Sequence, residues 1–220
     1  VLEGLFGPSY KVTQTKELID KGHLSQLQIK VLLLKHEGQN FNEYEDEIQY
    51  LISHQKRNNF IKNLVLDLKG NTLVLFSRIE AHGEPLYELI NSQTHDERKV
   101  FFVHGGVDGS ERENIRKIVE EEQNAIIVAS FGTFSTGVNI RNLHNVIFAS
   151  PSKSKIRNLQ SIGRGLRKSD SKDSATLYDI ADDMSWKSKK NFTLLHFMER
   201  IKIYNEEKFE YKIYTVSIKI

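Results

Sequence analysis

Short, continuous apolar runs recur along the 220-residue chain, and each is followed by a turn and then by an amphipathic stretch. Apolar and polar positions do not alternate within the runs, which is typical of strands buried on both faces of a sheet. Such strands are usually parallel and covered by helices. The pattern predicts strands at residues 31–34, 73–76, 100–103, 125–129, 146–149 and 175–180.

The stretches between these runs have the apolar spacing of helices. They predict helices at 41–69 with a break near 57–59, and at 79–92, 111–123, 156–168 and 189–207. Ser110 and Glu113 have the spacing of a capping box at the start of the third helix. The tail, 209–218, alternates and is rich in Tyr, Ile and Val, so it predicts a strand at a sheet edge. The expected fold class is α/β, with an open, mostly parallel sheet and helices on both faces.

Composition excludes several classes of protein. With 39% apolar and 27% charged residues, the chain is expected to fold. It has no cysteine, which excludes disulfide scaffolds, thiolate zinc sites and thiol nucleophiles. No apolar run approaches the roughly 18 residues of a membrane span, so no membrane partner is expected. The first residue is Val1 and not methionine, which suggests a fragment of a longer protein.

The net charge of +2 hides a strong asymmetry along the sequence. Residues 141–172 contain eight Lys or Arg and one Asp, whereas residues 37–50 contain five acidic residues and no Lys or Arg. A local basic cluster favours binding of phosphate groups, although a solvated basic face would have the same composition.

Some chemical motifs are absent or weak. The sequence has no P-loop Gly-Lys-Ser/Thr and no His pair at metal-binding spacing. Asp179, Asp182 and Asp183 could indicate an acid site or a metal site, but a strand end with a solvated turn is the simpler interpretation. Trp186, the only tryptophan, is expected to pack. Lys187, Lys189 and Lys190 either begin a solvated helix or extend a nucleic-acid surface.

Polar and glycine-rich loops follow four of the predicted strands. In open α/β sheets, ligands gather at the carboxyl ends of the strands. Hydroxyls, backbone amides and cations are the groups that contact phosphate and sugar. The loops are Ser77-Arg78, His104-Gly105-Gly106, the segment 130–139 and the segment 150–155. Together they predict a phosphate-binding edge, although a histidine that ends a strand is often only a structural hydrogen-bonding group.

A group of polar and basic residues lies on one face of the predicted helix 156–168. At 100° per residue, Gln160, Arg164 and Arg167 fall within about 60° of one another. Leu159, Ile162 and Leu166 form a separate stripe that would face the core. Guanidinium groups are permanently charged and suit phosphate oxygens, so this face predicts a phosphate contact. A basic amphipathic helix with accidental spacing is the alternative.

Four of these segments together resemble the motifs of superfamily 2 helicases. The pattern Gln160-x-x-Gly163-Arg164-x-x-Arg167 resembles motif VI, residues 130–140 resemble motif V, and residues 73–78 resemble motif IV. Residues 103–106 resemble the loop after the next strand. The order and spacing match over residues 70–182. The chain thus resembles the second RecA-like domain of such a helicase, with its greatest similarity to phage recombination and repair helicases.

The resemblance implies a role for each matching residue. Arg164 and Arg167 would be arginine fingers that reach the γ-phosphate of ATP, and Gln160 would bond near that phosphate or the attacking water. Gly137, Asn139 and Gly163 would lie near the nucleotide, with Asn139 at a position where many family members carry Asp. The residues expected to follow the phosphodiester backbone are Ser77, Arg78, His104, Gly105, Ser130, Thr133 and Lys153.

The resemblance also implies the cofactors, a linked domain and the nucleic-acid partner. ATP and Mg²⁺ would be held mainly by a covalently linked N-terminal RecA-like domain, since the P-loop and Asp-Glu box belong there. Residues 1–28 would be the linker from that domain, and residues 29–220 the second domain. The expected partner is branched or single-stranded DNA, or an RNA–DNA hybrid, in the cytoplasm of the host cell. The alternatives are an α/β nucleic-acid-binding module without motor activity, and a translocase that does not separate strands.

Overall fold

Seven parallel strands form one sheet in a computed structural model that describes residues 26–95, 97–135, 142–150 and 174–218. The strands are β1 (Gln26–Lys35), β2 (Thr72–Phe76), β3 (Val100–Val103), β4 (Ile126–Ser130), β5 (Asn145–Phe148), β6 (Ser174–Asp183) and β7 (Tyr211–Ser217). Their order across the sheet is β3-β4-β2-β5-β6-β1-β7. Every pairing between neighbours is parallel, as the buried apolar runs predict.

Helices cover both faces of the sheet. They are α1 (Tyr44–Ser53), α2 (Gln55–Asp67), α3 (Glu84–Asn91), α4 (Gly109–Glu121), the short α5 (Phe131–Ser135) and α6 (Phe192–Glu206), and a π-helical turn (Ile79–Gly83) precedes α3. None of the helices in the described ranges is long and apolar enough to cross a bilayer.

Alternate residues of each strand enter two separate cores. On β4, Ile127 and Ala129 join the core under α4 and α6, whereas Ile126 and Val128 join the core under α2 and α3. The central strands β2, β4 and β5 are buried along their whole length. Because all the strands are parallel, their carboxyl ends lie at one edge of the sheet.

The six predicted buried strands and the predicted edge strand are confirmed. β7 lies at the sheet edge beside β1 and is mostly exposed. β1 begins at Gln26, so residues 26–28 of the predicted linker belong to the sheet, and the rest of that linker lies outside the described residues.

Three predictions about helices need correction or fall outside the described residues. The break in the first helical segment is at His54 and not near 57–59, and the His54 ring accepts a hydrogen bond from the Arg57 amide at 3.2 Å. The capping box is wrong: Asp108 is the N-cap of α4, and its carboxylate accepts from the Ser110 amide at 2.8 Å. The predicted helix 156–168 lies outside the described residues.

The aspartates of β6 do not form a solvated turn, and the expectation that they would is wrong. Asp179 and Asp182 are fully buried and Asp183 is 8% exposed. Asp179 accepts hydrogen bonds from Arg200 and Tyr204 of α6, both at 2.8 Å. Trp186 was expected to pack but is 47% exposed.

Candidate nucleic-acid interface at the carboxyl edge of the sheet

Three neighbouring strands carry the described candidate residues at their carboxyl ends. β3, β4 and β2 are adjacent in the sheet. His104 and Gly105 follow β3, Ser130 ends β4 with Thr133 in α5, and Ser77 and Arg78 follow β2. The structure therefore brings all six together along one edge.

The end of β2 is joined to the end of β5 by a buried serine. The Ser150 hydroxyl accepts a hydrogen bond from the Ser77 amide at 3.0 Å and lies 2.9 Å from Nδ1 of His82. His82 belongs to the π-helical turn, whose last two amides donate to the Arg78 carbonyl at 3.2 and 2.8 Å. These contacts fix the backbone that presents Arg78 to the edge.

Arg78 forms a two-pronged ion pair with Glu45 of α1. Each terminal guanidinium nitrogen lies 2.6 Å from one of the two carboxylate oxygens. The hydrogen bond from Arg78 lowers the pKa of Glu45, and the same contact raises the pKa of Arg78. The Arg78 side chain remains 33% exposed, so a solvent-borne anion can approach it.

His104 and Gly105 form the turn after β3. Nδ1 of His104 accepts a hydrogen bond from the Gly106 amide at 3.1 Å, which sets the ring orientation. The ring is also tilted against Phe102, with the centroids 5.1 Å apart. Gly105 is exposed, and a Cβ placed there would meet nothing within 4 Å. Another backbone can approach this turn closely.

Ser130 and Thr133 face inward at the start of α5. Their hydroxyl oxygens are 2.8 Å apart, and the Thr133 amide donates to the Ser130 hydroxyl at 3.3 Å. Ser130 is 9% exposed and Thr133 is 3% exposed. This pair links the end of β4 to the first turn of the short helix.

A buried charged cluster lies just beneath the edge. Asp182 accepts from Nε of Arg57 at 2.8 Å and lies 2.9 Å from Nε2 of His36. Arg57 also donates to the Ala149 carbonyl at 2.9 Å, at the point where β5 ends. Burial acts to raise the pKa of Asp182, but the Arg57 charge and the hydrogen bonds from His36 and Arg57 outweigh it and hold this pKa well below its usual range.

Sequence reasoning missed Glu45, Ser150 and the Arg57–Asp182–His36 cluster as parts of this edge. The acidic composition of 37–50 was the only signal for Glu45. The partners of the buried cluster are far apart in sequence, and no local pattern reveals them. No group of three or more His, Asp or Glu could hold a metal ion in the part of the chain that the structure describes.

The remaining candidates lie outside the described residues. They are Gly137, Asn139, Lys153, Gln160, Gly163, Arg164 and Arg167. Their placement stays a prediction.

Comparison with known proteins gives a relative from bacteriophage T4. The ATP-dependent DNA helicase UvsW of that phage is 35% identical over 233 residues, which cover 98% of this chain and 46% of the relative. The crystal structure of T4 UvsW superposes with a TM-score of 0.77 at 36% identity, covering 88% of this chain and 42% of that one. The chain thus spans about half the length of this relative.

More distant structures share the fold. The C-terminal domain of the DEAD-box protein Dbp5 matches with a TM-score of 0.55 at 14% identity, over 89% of this chain and 92% of that one. Residues 55–169 match the family described as the helicase conserved C-terminal domain, which is more than half of the sequence. Together with the RecA-like sheet and its edge of strand-end loops, this match shows that the chain belongs to the helicase C-terminal domain family.

Proposed function

We propose that this chain contains the second RecA-like domain, from residue 26 onwards, of an ATP-dependent DNA helicase that acts on branched DNA, R-loops and recombination intermediates. The similarity to UvsW, an ATP-dependent DNA helicase, supports this proposal. The observation that carries it is the alignment of three candidate phosphate-binding loops at adjacent strand ends. A nucleic-acid strand that crosses this edge meets all three loops in turn.

The chain's own residues would grip the phosphodiester backbone. Arg78 would supply the main charge, and the exposed turn at Gly105 would offer backbone amides at close range. His104, Ser77 and Lys153 would complete the track, and the buried pair of Ser130 and Thr133 would support it from beneath. Because these contacts go to phosphate and sugar, the grip would not depend on base sequence.

Motif VI would form the part of the domain that contacts the nucleotide. An amide and two guanidinium groups, on Gln160, Arg164 and Arg167, suit the oxygens of a triphosphate. Gly137, Asn139 and Gly163 would lie beside it. ATP with Mg²⁺, held mainly by a linked N-terminal RecA-like domain, supplies the free energy of phosphate hydrolysis when bound.

The junction at Ser150 would connect the nucleic-acid-binding edge with the motif VI segment that contacts the nucleotide. Its hydroxyl accepts from the amide of Ser77, next to Arg78, and the chain continues from Ser150 towards Lys153 and Arg164. A displacement of the motif VI segment would then be transmitted along the chain to Ser150 and from there to the loop that carries Arg78. This connection would couple nucleotide state to the grip on the strand.

Substitution of Arg164 in the protein that contains both RecA-like domains tests the proposal. Arg164→Ala is expected to lower DNA-stimulated ATP hydrolysis by about 10³-fold or more, because an arginine finger stabilises the charge of the transition state. Binding of single-stranded DNA should remain within about twofold of wild type. Lys212→Ala, at an exposed position of the edge strand β7, is the control and should leave both properties unchanged.

Equal loss of hydrolysis and DNA binding in Arg164→Ala would contradict the assignment and make Arg164 a nucleic-acid ligand. A strand-displacement assay on forked DNA then separates a helicase from a translocase. ATP hydrolysis and movement without strand separation would contradict the helicase proposal.

A further inference from the structure

A tight turn projects from the carboxyl end of β6. Trp186 and Lys189 exchange two backbone hydrogen bonds, of 3.0 and 2.9 Å, across this turn. Lys187 adopts a φ of 53°, in the left-handed region that a non-glycine residue seldom occupies. The backbone of the turn is thus fixed despite its exposed position.

Contacts to the loop after β1 hold the turn in place. The Gln39 amide donates to the Met184 carbonyl at 3.0 Å, and the Lys189 ammonium donates to Oδ1 of Asn40 at 2.9 Å. At Gly38, a Cβ would lie 2.7 Å from the Ser185 carbonyl oxygen and 3.0 Å from Cε3 of the Trp186 ring. Only glycine lets the loop approach the indole this closely.

The indole itself remains largely open to solvent. Trp186 is 47% exposed, although it is the largest apolar side chain in the sequence. Aromatic surface that stays in water does not contribute the free energy that its burial would give to folding. The same free energy becomes available when a partner covers the ring, and buried aromatic rings dominate the energetics of many interfaces. A rigid turn with an exposed ring has the properties of a preformed contact surface.

The side chains around the ring favour an anionic partner. Lys187, Lys189 and Lys190 are all exposed, as are Ser185 and Ser188. Within the described ranges, Lys187 and Lys190 pair with no carboxylate, and Lys189 bonds only to neutral oxygens of Asn40 and Phe41. An aromatic face surrounded by ammonium groups matches the combination that holds single-stranded nucleic acid.

We propose that the turn at residues 185–190 is a stacking platform for single-stranded nucleic acid, with one base on the Trp186 ring and the adjacent phosphates at Lys187 and Lys190. The proposal rests on the proposed function and extends its track. β6 is two strands from β2, or about 10 Å across the sheet, so one strand of a few nucleotides can reach both the turn and Arg78.

The fluorescence of Trp186 tests this proposal directly, because it is the only tryptophan of the 220-residue chain. The probe is an oligothymidylate added to that chain. Stacking is expected to quench the emission, whereas dextran sulfate, a polyanion without bases, should leave it nearly unchanged. DNA affinity is measured in parallel by the anisotropy of a labelled oligothymidylate.

Variants separate stacking from charge. Trp186→Ala should weaken DNA binding by about 10- to 100-fold, the usual loss for one stacked base. Trp186→Leu should lose nearly as much, and Trp186→Phe should retain part of the affinity. Lys187→Ala combined with Lys190→Ala should reduce the slope of log affinity against log salt by about 1.4, for two phosphate contacts. Tyr214→Ala, at a 44% exposed ring on β7, is the matched control and should have no effect.

Two results would overturn the inference. If the chain binds oligothymidylate but the Trp186 emission and the Trp186→Ala affinity do not change, the platform is rejected while the nucleic-acid track stands. If the folded wild-type chain, checked by circular dichroism, binds no DNA, both the platform and the proposed track are rejected.

Discussion

Arg78 is already partnered by a carboxylate that occupies both of its terminal nitrogens. Glu45 therefore stands where a phosphate would stand, and any strand that reaches Arg78 has to replace it. The Arg78 side chain is 33% exposed and that of Glu45 is 59% exposed, so solvent screens the pair and the exchange costs little. At the scale of single residues, α1 would therefore weaken the proposed grip of this edge on a nucleic-acid strand.

Glu45→Gln is expected to strengthen binding of single-stranded DNA by about 1.5- to 5-fold at low salt, since it releases Arg78 from its partner. The affinity is measured by fluorescence anisotropy between about 50 and 200 mM salt, a range over which phosphate contacts weaken strongly. Glu43→Gln, which removes the same charge from an exposed residue two positions away, is the control. Equal gains in both variants would mean that the ion pair does not restrain Arg78.

Asp182 illustrates the opposite situation, a charge that is fully buried and paired. Asp182→Asn leaves the Arg57 guanidinium without its counter-charge and is expected to lower the free energy of unfolding by about 3–5 kcal/mol at pH 7. Urea unfolding followed by circular dichroism measures the loss. Asp183→Asn is the control, because Asp183 pairs with the half-exposed Lys35 and should cost much less.

The same variant has a defined pH dependence. The pKa of Asp182 is lower in the folded protein than in the unfolded chain, so its stabilisation is fully present above the unfolded pKa of about 3.9. As the pH falls below that value, the unfolded chain binds a proton that the folded protein does not, and the stabilisation is lost. The stability difference between wild type and Asp182→Asn should be constant above about pH 5 and narrow below about pH 4. A difference that stays constant down to pH 3 would contradict this.

At the scale of elements, helix α6 is capped by a residue of α1. Its N-cap, Asn191, makes no capping bond of its own. Glu47 instead accepts from the amides of Phe192 and Thr193 at 2.8 and 2.7 Å, and from the Thr193 hydroxyl at 2.6 Å. The negative charge of a carboxylate at a helix N-terminus also interacts favourably with the helix dipole. The acidic segment 37–50 therefore has a structural role in addition to its charge.

Glu47→Gln keeps the shape but removes the charge, and it is expected to lower the free energy of unfolding by about 2 kcal/mol, the value of a hydrogen bond to a charged group. Thermal unfolding of the variant and of Asp46→Asn, its exposed neighbour on α1, measures the effect. A loss as small as that of Asp46→Asn would show that the capping bonds do not depend on the charge.

The elements were largely predictable from sequence, whereas their charged contacts were not. Apolar runs such as 73–76 and 146–149 predict strands because burial on both faces leaves no polar position. The sequence pattern predicts a helix break near residues 57–59, but Arg57 lies within α2. Its side chain is buried against Asp182, from a strand 125 residues later, and no local pattern reveals that pairing. The strand-end positions of Ser77, His104 and Ser130 followed from the sheet, but the pairing of Arg78 with Glu45 required the tertiary structure.

At the scale of the whole molecule, the two edges of the sheet differ. The carboxyl ends of the strands carry the proposed functions, whereas the amino ends are held by a hydrogen-bond network. Asn71 at the amino edge donates to the carbonyls of Val119, Glu122 and Asn142, and accepts from the Ala125 amide at 2.8 Å. Such a network holds α4, β2 and β4 together on the side away from the candidate site. Movement of the strand-end loops can then occur on a rigid base.

The 220-residue chain alone is expected to hydrolyse ATP no faster than buffer, because its sequence contains no P-loop to hold the phosphates. Joined to an N-terminal RecA-like domain, it should support DNA-stimulated hydrolysis. Release of inorganic phosphate with and without Mg²⁺ measures both. Robust Mg²⁺-dependent turnover by the chain alone would contradict the division of labour proposed between the two domains.

The position of β1 has a consequence for biosynthesis. This strand lies between β6 and β7, and β6 begins about 140 residues after β1 ends. At ribosomal speeds of about 5–20 residues per second, roughly 7–28 seconds pass between the synthesis of β1 and that of β6, the first strand with which it can pair. During that time its apolar residues and unpaired backbone are open to other chains. Among the described strands, β1 therefore stays unpaired for the longest time during synthesis, and chaperones that shield residues 26–35 should raise the yield.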